Sequence, residues 1–158
     1  MITPALHAHM NTRDDAPFRF LGLPTLLRAS AQTTGGAFGL IEQSLPAGFA
    51  SPYHVHRNED EAFYVLDGEI AFVCDGTWLR AGTGSYVFGP RNVPHGFRVT
   101  RGPARMLLLC APAGFEQFAI DLSEPEPAPG VTPAPPDMGR LVATAAKYGI
   151  DILGPLPE

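Results

Sequence analysis

A chain of 158 residues, 45% hydrophobic and only 17% charged, has the length and apolar content for one domain with its own core. Its formal net charge of −5 excludes the basic face that nucleic acid demands. The sequence offers no run of about 18 apolar residues, so no membrane span is expected. Seventeen Gly and seventeen Pro call for many tight turns, which favours strands over helices. Cys74 and Cys110 lie far apart in apolar runs, the setting of small buried hydrophobes and not of a disulfide scaffold. No basic segment followed by an apolar one opens the sequence, so no signal peptide is read and a reducing, cytoplasmic setting is expected.

Residues 1–22 read as an N-terminal arm or edge strand. Leu23–Ser30 and Ala37–Leu45 read as strands, with Thr34-Gly35-Gly36 as their hairpin connection. Glu61–Leu66, Glu69–Cys74 and Thr77–Arg80 are separated by Asp67-Gly68 and Asp75-Gly76. Asp-Gly supplies the positive φ angles of a type I′ turn, so two in succession predict a three-stranded meander. Ser85–Phe88, His95–Thr100 and Arg105–Ala111 continue the series of short, turn-punctuated strands expected of a sandwich or small barrel. Residues 23–122 are thus assigned to a β-barrel and the proline-dense 123–136 to an extended connector. In the last stretch, 137–158, Asp137 can cap a helix in which Met138, Leu141, Val142 and Ala145 share a face. Gly149 can end that helix, and it is expected to pack as a lid on the barrel or on a partner subunit.

One constellation carries chemistry. Gly48 is followed by His54, His56, Glu61 and Gly68. On an extended segment, histidines two apart project from the same face, so both imidazoles can reach one ion at about 2.0–2.1 Å. Glu61 opens the next strand and brings a carboxylate to that face. His95, delivered by the rigid turn Pro90-Arg91-Asn92-Val93-Pro94, is placed to be the fourth ligand. From average composition the Gly-His-His-Glu-Gly spacing arises on the order of 10⁻⁷ per window. Two look-alikes are set aside. His7-Ala8-His9 lacks the Glu and framing glycines and reads as tail. Gly82-Thr83-Gly84 opens no helix and is a turn, not a phosphate loop.

Gly48–Gly68 resembles the first motif of the cupin superfamily, G-x5-H-x-H-x4-E-x6-G, at every fixed position. Gly84–Val99 is similar to the second, G-x5-P-x-G-x2-H-x3-N, matching at Gly84, Pro90 and His95. Asn92 stands where the family has Gly and tolerates the same left-handed conformation. Val99 stands where it has Asn. The resemblance covers roughly residues 35–120 and implies an all-β jelly-roll barrel, here with a C-terminal α-helix. It implies one divalent transition metal, Fe, Mn, Ni, Cu or Zn, on His54, His56, Glu61 and His95. It also implies a homodimer formed through sheet edges and N-terminal strands.

With Glu61 inward, alternation turns Phe63 and Val65 inward. Pairing across Asp67-Gly68 would set Ile70 opposite Val65 and Phe72 opposite Phe63, and Phe97 and Val99 follow from His95. These six residues are expected to wall an apolar pocket for a flat organic molecule, with no arginine forced inward, though Arg28 and Arg98 stay open. Three imidazoles and a carboxylate leave open positions on the metal. The chain resembles short relatives of quercetin dioxygenases, which implies a dioxygenase of a phenolic or enolic compound with Glu61 accepting the substrate proton. A non-redox isomerase, cyclase or decarboxylase is the alternative, and a non-enzymatic binding module the third reading.

Overall fold

The computed structural model describes residues 6–158. Nine strands form one curled sheet among these residues, and of three helices the two longer ones pack against it. Strands β1 (Phe18–Phe20) and β2 (Leu23–Ala29) pair antiparallel around Leu21-Gly22, both in the left-handed region. The connection expected as a hairpin loop at Thr34-Gly35-Gly36 is instead a helical turn, α1 (Ala31–Thr34). Ser30 and Thr33 cap it reciprocally, and Gly35 ends it at φ +65°. Serine three residues before threonine is the signal for this turn, since the pair satisfies helix donors that a hairpin loop would leave to water. Strand β3 (Gly39–Leu45) comes next, paired with β2 as expected.

After β4 (Tyr53–His56) comes the largest departure from the expected meander. Strand β5 (Asp60–Cys74) runs through Asp67-Gly68 without turning back. A type I′ turn needs positive φ at both central residues. Asp75 and Gly76 have it, at +47° and +74°, and make a true hairpin to β6 (Thr77–Gly82). At the earlier pair only Gly68 does, at +80°. Strand β7 (Tyr86–Gly89) then returns along the first half of β5. The two strands expected at His95–Thr100 and Arg105–Ala111 are one continuous β8 (His95–Ala111). It pairs with β5 from end to end, and register shifts around Asp67 and Glu69 bend the ladder where the barrel turns a corner. Phe63 therefore faces Leu108, Val65 faces Met106, Ile70 faces Val99 and Phe72 faces Phe97, not one another across a hairpin.

The corner is tight. A Cβ on Gly68 would stand 2.8 Å from both the Ala104 Cβ and the Arg101 carbonyl oxygen, while the backbone stays left-handed. Gly68→Ala is expected to destabilise the fold by about 1–2 kcal/mol, from left-handed strain plus the clash. Chemical denaturation would check this, and an unchanged midpoint would show that the corner yields freely.

Past β8 lies a helix that no sequence signal announced, α2 (Phe115–Asp121). Glu116 within it is buried, and its carboxylate accepts the Ala31 and Gly114 backbone N–H groups, each at 2.8 Å. The proline-rich stretch is held by Arg19, which pairs with Glu126 at 2.6 Å. Helix α3 (Met138–Lys147) forms as expected: Asp137 caps it by accepting the Arg140 N–H, and Leu141 and Ala145 face inward. The segment beyond α3 is not a loose tail. Ile150–Gly154 is a strand, β9, paired with β4. Among the described residues no helix is long and apolar enough to cross a membrane.

Candidate metal centre

The strand pairings explain why four distant side chains meet. His54 and His56 lie on β4, whose other edge is completed by β9, with His54 opposite Ile152 and His56 opposite Ile150. His54 also faces His95, the first residue of β8. Glu61 opens β5 opposite Cys110. The Pro90–Pro94 turn is locked from both sides: Asn92, at φ +64°, donates its N–H to the His56 carbonyl, and Pro94 accepts the Asp75 N–H, both at 2.8 Å. Asn92 thus takes the left-handed position that the motif reserves for glycine.

Ring orientation is fixed by what each Nδ1 touches. His54 donates Nδ1–H to the Pro52 carbonyl (2.8 Å), His95 to the Val93 carbonyl (2.9 Å), and His56 to the Glu59 carboxylate (2.7 Å). In the neutral rings all three Nε2 atoms therefore carry lone pairs, and all three lie near Glu61 Oε2, at 3.8, 3.1 and 2.5 Å for His54, His56 and His95. The four ligand atoms lie within 4.8 Å of one another. His56 Nε2 is buried with no hydrogen-bond donor or acceptor properly placed for it. Four electron pairs aimed at one point in a desolvated pocket repel unless a cation stands among them. The donor set suits a first-row divalent metal held by three imidazoles and one carboxylate. His7 and His9 are exposed and belong to no such cluster.

The electrostatics without metal say the same thing. Burial lowers the His54 pKa, keeping its imidazole neutral. Burial also works against protonation of His56, but the Glu61 charge and the Glu59 hydrogen bond outweigh it and raise its pKa to about 10. Burial would push Glu61 up, yet the facing imidazoles hold it well below the ordinary carboxylate value. A proton on His56 is thus the stand-in cation of the metal-free site.

Glu59 reads in the sequence as one residue of a polar turn. It is buried, and only its position three after His56 could have signalled its part in orienting that ring. Glu59→Gln keeps the shape but removes the charge behind His56, and should weaken metal affinity by about 10–100-fold. Competition with a chromogenic chelator would check this, and undiminished affinity would mean the ring is held by packing alone.

Beside the ligands lies a cavity with about 50 Å³ of room for the centres of water-sized groups. At roughly 10–15 Å³ for each water that is room for three to five waters, about a third of the roughly 150 Å³ that takes one benzene. Of the six expected wall residues, only Phe97 lines it. Phe63, Val65, Ile70, Phe72 and Val99 pack into the core, because the bent β5–β8 ladder fills that end of the barrel with their own side chains. The walls come instead from elements beyond the motifs, including Phe20 of β1, Phe115 and Phe118 of α2, Leu141 of α3 and Ile152 of β9. Leu141 was signalled by the apolar face of the expected lid helix and Ile152 by the alternation Ile150-Asp151-Ile152, while Phe20, Phe115 and Phe118 had no signal. Leu21, Phe49, Ser51, Pro52, Leu141 and Ile152 also border an outer pocket of about 580 Å³, so these six divide the inner chamber from the surface. Arg28 pairs with Glu42, and Arg98 stacks over Trp78 at 4.4 Å at the edge of the outer pocket. Neither lines the chamber.

A protein-family profile described as a cupin domain matches residues 41–111. Quercetin 2,3-dioxygenase of Bacillus subtilis is 28% identical over 97 residues, which are 61% of this chain and 29% of that protein. Dimethylsulfoniopropionate lyase DddQ of Ruegeria pomeroyi is 38% identical over 66 residues, 41% of this chain and 32% of the lyase. The chain thus matches less than a third of the length of either curated relative. Among solved structures, KdgF from Halomonas sp. superposes with TM-score 0.63 at 15% identity, covering 70% of this chain and 99% of that one. An RmlC-like cupin from Shewanella frigidimarina gives 0.61 at 19% identity, covering 70% and 96%. At such identities these two speak for the fold alone. With the barrel, both motifs and the family match in agreement, residues 41–111 form a cupin domain.

Proposed function

We propose that this cupin-domain protein is a metal-dependent dioxygenase of a small phenolic or enolic compound. The observation that carries the reading is the position of the cluster: His54 and Glu61, two of its four ligands, form one end of a mostly apolar chamber whose outer wall borders the larger outer pocket. A redox-active divalent metal on His54, His56, Glu61 and His95 would supply a site that acidifies a bound hydroxyl and exchanges electrons with dioxygen. Phe97, Phe115 and Leu108 exclude water, and the aromatic walls hold the edge of a ring toward the ligands. Glu61 is the carboxylate at this end of the chamber and the group that would take the hydroxyl proton. The similarity to quercetin 2,3-dioxygenase points the same way. A flavonol exceeds the inner chamber, so its hydroxyl-bearing edge would point into it and its rings would lie mostly in the outer pocket.

The test is elemental analysis of untagged protein beside an oxygen electrode, with 3-hydroxyflavone and simple phenols as substrates. Stoichiometric Fe, Mn, Ni or Cu with oxygen uptake is the expected result. The 38% identity to a dimethylsulfoniopropionate lyase favours one second reading, Lewis-acid elimination without redox chemistry. Cleavage of dimethylsulfoniopropionate by zinc-loaded protein under nitrogen would establish it, and oxygen uptake on phenols would sink it.

A further inference from the structure

Gln43 is the polar side chain of the chamber that the metal reading leaves unexplained. It sits on β3, 3% exposed, and lines the cavity together with His54 and Glu61. Besides these ligands and Gln43, the only polar side chain there among the described residues is Ser51. Ser51 is already engaged, donating to the Pro52 carbonyl at 3.1 Å and accepting the Phe97 N–H at 3.0 Å.

The orientation of the Gln43 amide is set by its neighbour. Thr25, its cross-strand partner, is fully buried and donates its hydroxyl proton to the Leu23 carbonyl at 3.0 Å. Thr25 Oγ1 can then only accept, so the group 3.4 Å away must be Gln43 Nε2. This turns the amide oxygen Oε1 the other way, and no described residue donates to it. Among the described residues the one buried side-chain atom left without a partner is His56 Nε2, so Oε1 opens to the cavity, where water or a bound hydroxyl supplies the proton.

We propose that Gln43 is a specificity-determining residue whose Oε1 accepts a hydrogen bond from a second hydroxyl of the substrate, one oxygen of which faces the metal ligands. The inference rests on the chamber being the substrate site and narrows the substrate class to dihydroxylated rings or enediols. A monohydroxylated analogue leaves Oε1 unpaired and is discriminated against for that reason.

The experiment is calorimetric titration of zinc-loaded protein under nitrogen with phenol, catechol, resorcinol and hydroquinone. Wild type is compared with Gln43→Leu and the nearly isosteric Gln43→Met, each first checked for metal content and cooperative unfolding. At least one dihydroxybenzene should bind wild type about tenfold more tightly than phenol. That preference should fall to within about twofold in both variants while phenol affinity holds or rises. A packing role would instead weaken all four ligands alike, and this overturns the proposal. So does a preference that survives both substitutions, as chelation through two catechol oxygens would. Phenol binding with no preference in wild type removes the role of Gln43 alone, whereas failure of phenol itself to bind removes the chamber as the substrate site.

Discussion

Replacing His56 and His95 together by alanine is expected to abolish stoichiometric metal binding and leave a folded barrel. The first half rests on geometry. These two rings approach Glu61 Oε2 most closely, at 3.1 and 2.5 Å, and without them only His54 and one carboxylate remain. A lone imidazole–carboxylate pair falls far short of the four-ligand sites that first-row metals occupy tightly. Affinity should drop by about two to four orders of magnitude or more, since each of the two ligands contributes at least the tenfold to hundredfold seen for groups that merely orient one. The second half rests on where the core lies. Phe63, Val65, Ile70, Phe72 and Met106 pack around the β5–β8 corner and do not depend on the imidazoles for their burial. The double variant also loses the proton that His56 holds beside Glu61, so it should be less stable than the parent while its core stays intact. Metal analysis after dialysis, with far-UV circular dichroism and denaturant unfolding, reads both halves. Full metal content in a folded double variant would refute the ligand set.

How far the sequence foretold this protein depends on what kind of residue carried the information. The ligands were readable because coordination chemistry fixes residue type and spacing at once: His-x-His on an extended strand has few other uses. The type I′ hairpin at Asp75-Gly76 was readable because its turn chemistry is local. Asp67-Gly68 shows the limit of the same rule. An identical dipeptide there takes one positive φ instead of two, because β8 continues alongside and offers the ladder hydrogen bonds that a meander would have found within β5. That choice is tertiary and leaves no mark within a few residues of the turn. The pocket walls were hidden for a similar reason. Alternation from Glu61 correctly names inward-facing residues, but a barrel interior is mostly filled, and Phe63 or Ile70 belongs to the filled end. The open end is closed by α2, α3 and β9, which lie outside the motif region and reach the site only through folding. Glu59 sits between these cases: its charge looks like that of any surface turn until the His56 ring is in place beside it.

The metal should stabilise the fold by several kcal/mol, and by more as pH rises from 7 to 8.5. At free metal a thousand times its dissociation constant, binding to the native state alone adds about 4 kcal/mol. The pH dependence comes from His56. In the metal-free protein its pKa is about 10, against about 6.5 in an unfolded chain. Between those values the native state holds a proton that the unfolded state does not, so stability is greatest below about 6.5 and declines as pH climbs toward 10. The slope for one such proton is at most about 1.4 kcal/mol per pH unit. His54 adds nothing to this slope, being lowered by burial and neutral in both states above 6.5, and Glu61, held well below its ordinary value, is ionised throughout. In the metal-loaded protein His56 is already deprotonated, so the native state no longer carries the extra proton and the decline should vanish. Thermal melts with and without zinc at pH 7.0 and 8.5 should therefore show parallel behaviour of the loaded protein, a falling Tm of the metal-free form, and a widening gap. Proton release on metal addition, read by calorimetry in two buffers of different ionisation enthalpy, should approach one per site at pH 7 and shrink toward pH 10. A gap independent of pH would show that the imidazoles meet the metal already neutral, and that the cation held among His54, His56, Glu61 and His95 in the metal-free protein is not a proton on His56.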